Sequence, residues 1–226
     1  LSNTVERIQL FFYILSSLLY KLGRQHKCDN KSFGGLLMFF PNKISYYWPS
    51  DTHAFQNFQN DLQALLKKRR RKKQPLIIVC IGTDRATGDC LGPLVGQYLQ
   101  NHSSFCSIYG SLSRPVHAKN LKKTIYDIYS IYEDPFIIAI DACLGCEEHV
   151  GSITLSSMPL FPGQGVSKQL PAIGDISITG IVNRTSDQNE QMIQNTRLQI
   201  VIRLASFISS GIENSFISPT SYRRFL

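Results

Sequence analysis

The chain alternates short unbroken apolar runs with longer stretches of helical periodicity. Leu76 to Ile81 (LIIVCI) is a continuous, largely β-branched run, the pattern of a strand covered on both faces. Pro135 to Asp141 (PFIIAID) repeats it. Shorter strand candidates are KISYYW from Lys43, SITLSS at Ser152 to Ser157, and ISITGIV at Ile176 to Val182. Between them, Phe55, Phe58, Leu62, Leu65 and Leu66 recur at helical spacing, and Pro75 closes that segment. Leu91 to Leu99 carries the next helical pattern, and Lys119 to Glu133 a third, with Leu121, Ile125, Ile128 and Tyr132 on one face. Asp187, with Glu190 three residues on, forms a capping box for a last helix through about Ser209. Strands alternating with helices predict an α/β protein whose mostly parallel sheet carries helices on both faces.

This organised region spans residues 43–212. Residues 1–42 read as an N-terminal extension and 213–226 as a C-terminal tail. Within the extension, Ile8 to Leu22 is apolar but is interrupted by Gln9, Ser16 and Ser17. It falls short of the roughly 20 apolar residues of a spanning helix, so no transmembrane span is expected. The stretch after it, LGRQHKCDNK, carries no small-residue cleavage site and argues against a signal peptide. Gly34-Gly35 ahead of Met38 reads as a ribosome-binding sequence translated in frame, with Met38 the natural start. The alternative is a genuine N-terminal extension.

The net charge of +8 suggests an anionic partner until the charge is located. The run Lys67 to Lys73 supplies seven of those eight charges, so the rest of the chain is close to neutral. Basic residues closing a helix complement its dipole and sit in solvent, which makes nucleic acid an unlikely partner. Six cysteines, one of them inside an apolar run, show no disulfide framework in their spacing, and a reducing, cytoplasmic setting is expected. Cys143-Leu144-Gly145-Cys146 with His149 imitates a zinc motif, but no second ligand pair accompanies it.

The candidate chemistry lies where the strands end. In open α/β sheets ligands bind outside the carboxyl ends of the strands. Asp84, Arg85 and Asp89 follow the first buried run in IGTDRATGDCLGPLVG, and Asp141 ends the second. A glycine-rich loop with Gly163, Gly165 and Lys168 leads into Gly174-Asp175, just ahead of a third strand. The phosphate reading of the first loop fails, because its glycines match neither nucleotide-binding spacing and its two aspartates would repel phosphate. Two carboxylates in a desolvated cleft instead share a proton. Such a pair polarises water with one member and donates a proton from the other, or it holds a divalent metal. The structural alternative has Asp84 capping the turn and Asp89 capping the helix from Cys90. His117, in RPVHAKN, is a further loop residue placed to assist.

Four blocks in order, CIGTDRATGDCLGPLVG, PVHAKNL, IIAIDACLG and PGQGVSKQLPAIGDISITGIVN, resemble the YyaC-type sporulation proteins of spore-forming Firmicutes. That family is similar to the spore germination protease and, distantly, to the hydrogenase-maturation endopeptidases. The resemblance covers about Lys43 to Ser209. It implies a three-layer αβα fold of the phosphorylase/hydrolase type in a protein of the forespore or spore interior.

In the germination protease two aspartates carry peptide hydrolysis. Its T-P-D-A-L-G-P block is matched by TGDCLGP, which places one role on Asp89. Its I-D-A block is matched by IAIDAC, which places the other on Asp141. Its P-G-S-G-V-G loop resembles Pro162 to Ser167. The D-E-G block of the hydrogenase-maturation enzymes has no glutamate counterpart, since Cys90 follows Asp89. The expectation is an aspartate-dependent endopeptidase without a required cofactor, acting on a peptide or small spore protein. Asp84, Arg85, His117, Gly163, Gly165, Lys168 and Asp175 would support that site. The competing expectation is a non-catalytic spore protein that binds a peptide, a partner or a metal in the same acidic cleft.

Overall fold

The computed structural model describes residues 44–100, 105–163 and 170–216. Its elements run β1 (Ile44–Tyr47), α1 (Ala54–Arg69), β2 (Leu76–Cys80), α2 (Leu91–Gln100), β3 (Ser107–Tyr109), α3 (Leu121–Ile131), β4 (Phe136–Gly145), β5 (Ile153–Ser156), β6 (Ile176–Arg184), α4 (Asn189–Gln194) and α5 (Leu198–Phe216). Single 3₁₀ turns occupy Gly88–Cys90 and Glu147–His149. The strands form one six-stranded sheet in the order β1-β5-β6-β4-β2-β3. The β3, β2, β4 and β6 ladders are parallel, while β5 pairs antiparallel with both β6 and β1. This is the mostly parallel mixed sheet that the alternation of patterns predicts.

The apolar runs are unbroken because both faces of the central strands are covered. Ile78 and Cys80 of β2, with Ile138 and Ile140 of β4, join Phe58, Leu62, Val95, Leu204 and Ile208 beneath α1, α2 and α5. Their neighbours Ile77, Val79, Ile137 and Ala139 point the other way, under Leu121 and Ile128 of α3. Each such isoleucine contributes about 1.5–3 kcal/mol when fully buried. The same alternation carries Asp141 to the α3 side of β4.

The basic end of α1 is partly tied into the fold. Arg69 donates to the carbonyl oxygens of Ser157 and, at 2.6 Å, of Asp175. Arg70 donates to Gln74 O at 2.6 and 2.9 Å, and Arg71 pairs with Asp134.

The structure departs from the local expectations in several places. Strand β3 has no apolar run behind it, because its residues are only half-buried at a sheet edge. Strand β4 continues four residues past Asp141, to Gly145, since β6 still pairs with it there. The last helix is two helices. The capping box of Asp187 and Glu190 does not form; Ser186 N–H donates to Asn189 Oδ1 and Gln188 N–H to Ser186 Oγ instead. The second helix, α5, reaches Phe216, into the segment read as a tail. Residues 1–42, with Met38, lie outside the described residues, as do Gly165 and Lys168. Among the described residues no helix is long and apolar enough to cross a membrane.

Candidate active site

Strand β2 stops at Cys80, while its neighbour β4 runs on past it. The corner that follows β2 therefore folds beside Asp141. Ile81 N–H still reaches the Ile140 carbonyl at 2.7 Å, and Gly82 N–H reaches Val116 O at 2.8 Å. Gly82 then turns with φ +141°, a value that L side chains rarely adopt, and a Cβ there would run into the Asp89 carbonyl. Gly92 is equally constrained, since a Cβ would strike the Ile81 backbone. Thr83 N–H closes the loop on Asp89 O at 3.2 Å. The glycines thus press the Asp89 turn against the end of β2; they make the corner and do not cradle an anion.

Asp89 sits in the 3₁₀ turn before α2, half-buried, and caps neither that turn nor a helix beginning at Cys90. Asp141 is 9% exposed and accepts a hydrogen bond from Ala142 N–H at 2.8 Å. Burial pushes the Asp141 carboxyl well above the usual carboxylate range, and the charge of Asp89 pushes it further. Burial also raises Asp89, but the Thr83 N–H and His117 pull it back. Asp89 is therefore near enough to act on Asp141, and the two are unequal: Asp89 gives up its proton more readily, and Asp141 retains its own.

His117 belongs to this group. It follows Val116, which bridges to Ile81, and so stands at the carboxyl edge of β2. Lys119 N–H donates to its Nδ1 at 3.3 Å, and the Asn120 side chain accepts its own N–H at 2.8 Å. These bonds fix the loop, and His117 acts on Asp89 from it. Cys90 is a half-buried thiol raised by burial and then by Asp84 and Asp89. Burial lifts Cys143 to about 11. Neither is a ready thiolate.

The remaining expected residues divide. Asp84 and Arg85 are exposed on the corner; Asp84 is within electrostatic reach of Cys90, and the side chain that lowers Asp89 is His117, not Arg85. Asp175 stands at the opposite, amino end of the strands. Its Oδ2 accepts Ile137 N–H at 2.8 Å, and its own N–H donates to Ile137 O at 2.7 Å, so it ties β6 to β4 and has no place beside the acids. Gly163 forms a turn at φ 75° near the Leu160–Ile173 bridge. Among the described residues, no three His, Cys, Asp or Glu side chains converge as metal ligands, so a divalent cation at this site would have only the two acids and water to hold it. The sequence reading missed Thr154 and Thr179, which carry the row described below; only strand register reveals them.

Residues 46–211 match the family described as "Protein of unknown function (DUF1256)". The chain is similar to a Bacillus subtilis (strain 168) protein, "Uncharacterized protein YyaC", with 43% identity over 192 residues, covering 84% of this chain and 92% of that one. Among solved structures it is similar to the [NiFe] hydrogenase maturation protease HycI from Thermococcus kodakarensis KOD1, at 17% identity and a TM-score of 0.40, over 68% of this chain and 99% of that chain. With the family match spanning most of its length and its relative aligned across both chains, the protein belongs to the DUF1256 family.

Proposed function

We infer that the protein is an aspartate-dependent peptidase. The observation that carries this reading is the unequal acid pair: Asp141, buried within β4 and raised further by the charge of Asp89, and Asp89, lowered by His117, in the corner where the adjacent parallel strand β2 ends. A water molecule between them would lose a proton to Asp89, while Asp141 donates its proton to the carbonyl oxygen of the peptide bond. His117 favours the charged form of Asp89 before this exchange; as the tetrahedral species collapses, Asp89 passes its proton to the leaving amine and Asp141 regains one from the hydroxyl. The spore setting and a small spore protein as substrate rest on the resemblance of the four sequence blocks, with a relative in Bacillus subtilis beside it.

The test offers small basic spore proteins to the purified full chain and to Asp89→Asn and Asp141→Asn variants. Cleavage by the parent that falls at least about 100-fold in both variants is the expected result. Cleavage that neither substitution changes would sink the assignment. Peptide binding without any cleavage would leave a binding protein in its place.

A further inference from the structure

The face of the sheet that looks toward α3 changes character beyond β4. On β2 and β4 it is apolar, with Ile77, Val79, Ile137 and Ala139 buried together. On the next three strands it turns polar. Register aligns Asp141 with Thr179, Thr179 with Thr154, and Thr154 with Tyr46. Paired residues share a face, so these four form one row across the sheet. The Thr154 and Thr179 hydroxyls lie 2.6 Å apart, and the Cys143 thiol donates to Thr179 at 3.5 Å.

The row ends in rings. Tyr46 stacks on His149 with centroids 4.5 Å apart, and Trp48 lies 6.1 Å from Tyr46 and 6.0 Å from His149. Tyr46 is 39% exposed and Trp48 37%, so aromatic faces remain open to solvent at the sheet's rim. The surrounding charge is mainly negative. Glu147 and Glu148 are exposed on the turn that carries His149, with Arg184 3.9 Å from Glu147. Asp51 and Asp61 line a hollow of about 390 Å³ together with Tyr46 and Trp48. Asp61 accepts the Tyr47 hydroxyl at 2.7 Å, and open π-faces with carboxylates nearby attract a cation. Three strand spacings separate the shelf from Asp141, roughly 14 Å, the reach of about four extended residues.

We propose that the Tyr46–Trp48–His149 shelf is a recognition subsite for a basic side chain, arginine or lysine, on an extended peptide whose scissile bond lies over Asp89 and Asp141. The subsite rests on the peptidase reading for its orientation, and its test is independent of turnover. Trp48 is the chain's one tryptophan, so its fluorescence reports occupancy directly.

The experiment titrates full-length protein with eight-residue glycine-serine peptides carrying one arginine, one glutamate or one phenylalanine. The arginine peptide is expected to change Trp48 emission saturably, with at least tenfold weaker binding in Tyr46→Leu and His149→Ala. Circular dichroism confirms that each variant is folded, and Tyr46→Leu keeps apolar contact at the edge strand if Tyr46→Ala does not fold. No saturable change, equal binding of the glutamate peptide, preference for the phenylalanine peptide, or unaltered binding in both ring variants would overturn the subsite. Binding with no hydrolysis would overturn the peptidase reading alone. Hydrolysis without a Trp48 response would overturn the subsite alone.

Discussion

Asp175 and Asp141 belong to the same pair of neighbouring strands and do opposite things. Asp175, at the amino end, gives its carboxylate to the Ile137 N–H and fastens β6 to β4. Asp141, four positions along β4 from Ile137, is buried beside a second acid and has a single backbone donor from its own neighbour. One carboxylate holds the sheet together. The other is a carboxyl group whose charged form the sheet disfavours, and a group whose ionisation costs the fold stability where it sits is a candidate for work.

Substitution of the acids gives the largest separation between these roles. Asp141→Asn should abolish hydrolysis by about 1000-fold and yet raise the melting temperature at neutral pH. Asp141 is raised above its ordinary value of 3.8 in the fold, so the folded state holds its proton longer than the unfolded chain does. Stability is then greatest at acid pH and declines as pH rises from the ordinary carboxylate range through the elevated value. Thermal melts across pH 4–8 should show this decline in the parent and a flatter profile in Asp141→Asn, each kcal/mol being worth roughly 2–4 °C in a chain of this size. A lower melting point in the variant would make Asp141 a structural residue like Asp175.

Gly82→Ala comes next, with a loss of about 1–3 kcal/mol from positive-φ strain and the clash with the Asp89 carbonyl. Denaturant unfolding measures it, and activity should fall with it because the Asp89 turn moves. Asp175→Ala should cost about 1–2 kcal/mol through the orphaned Ile137 N–H while kcat at saturating peptide stays within twofold. Loss of turnover in a fully folded Asp175→Ala protein would erase the contrast between the two ends. The smallest effect belongs to His117→Gln. Removing the group that lowers Asp89 should move the acidic limb of the kcat/KM profile to higher pH, by less than about one unit. An unmoved limb would remove His117 from the site.

Much of the fold is legible in the chain because its central strands are covered on both faces. LIIVC and FIIAI cannot be read as amphipathic helices, and they locate β2 and β4 directly. Asp141 stands out for the same reason, as a charge in a run that otherwise admits none. Strand β3 is not legible, since SIY is three half-buried residues held by β2. The role of Asp175 is equally hidden: a carboxylate that ties two strands and one that meets a second acid look alike after a glycine. The row from Asp141 to Tyr46 depends on register among four strands, one of them, β1, far from the other three in the chain. Local pattern does not contain that information.

The two ends of that row also differ in what holds them. Strand β4 has hydrogen-bonded partners on both sides, whereas β1 has four residues at the margin of the sheet and is paired through β5. Backbone amides at such a margin open locally at far lower free energy than those of a central strand. In deuterated solvent the amides of β1 should exchange well before those around Ile138 and Ile140. The aromatic end of the row can therefore open and close many times while the acids stay fixed, so that, if the proposed subsite and peptidase site hold, capture of a chain and chemistry on it run on separate clocks.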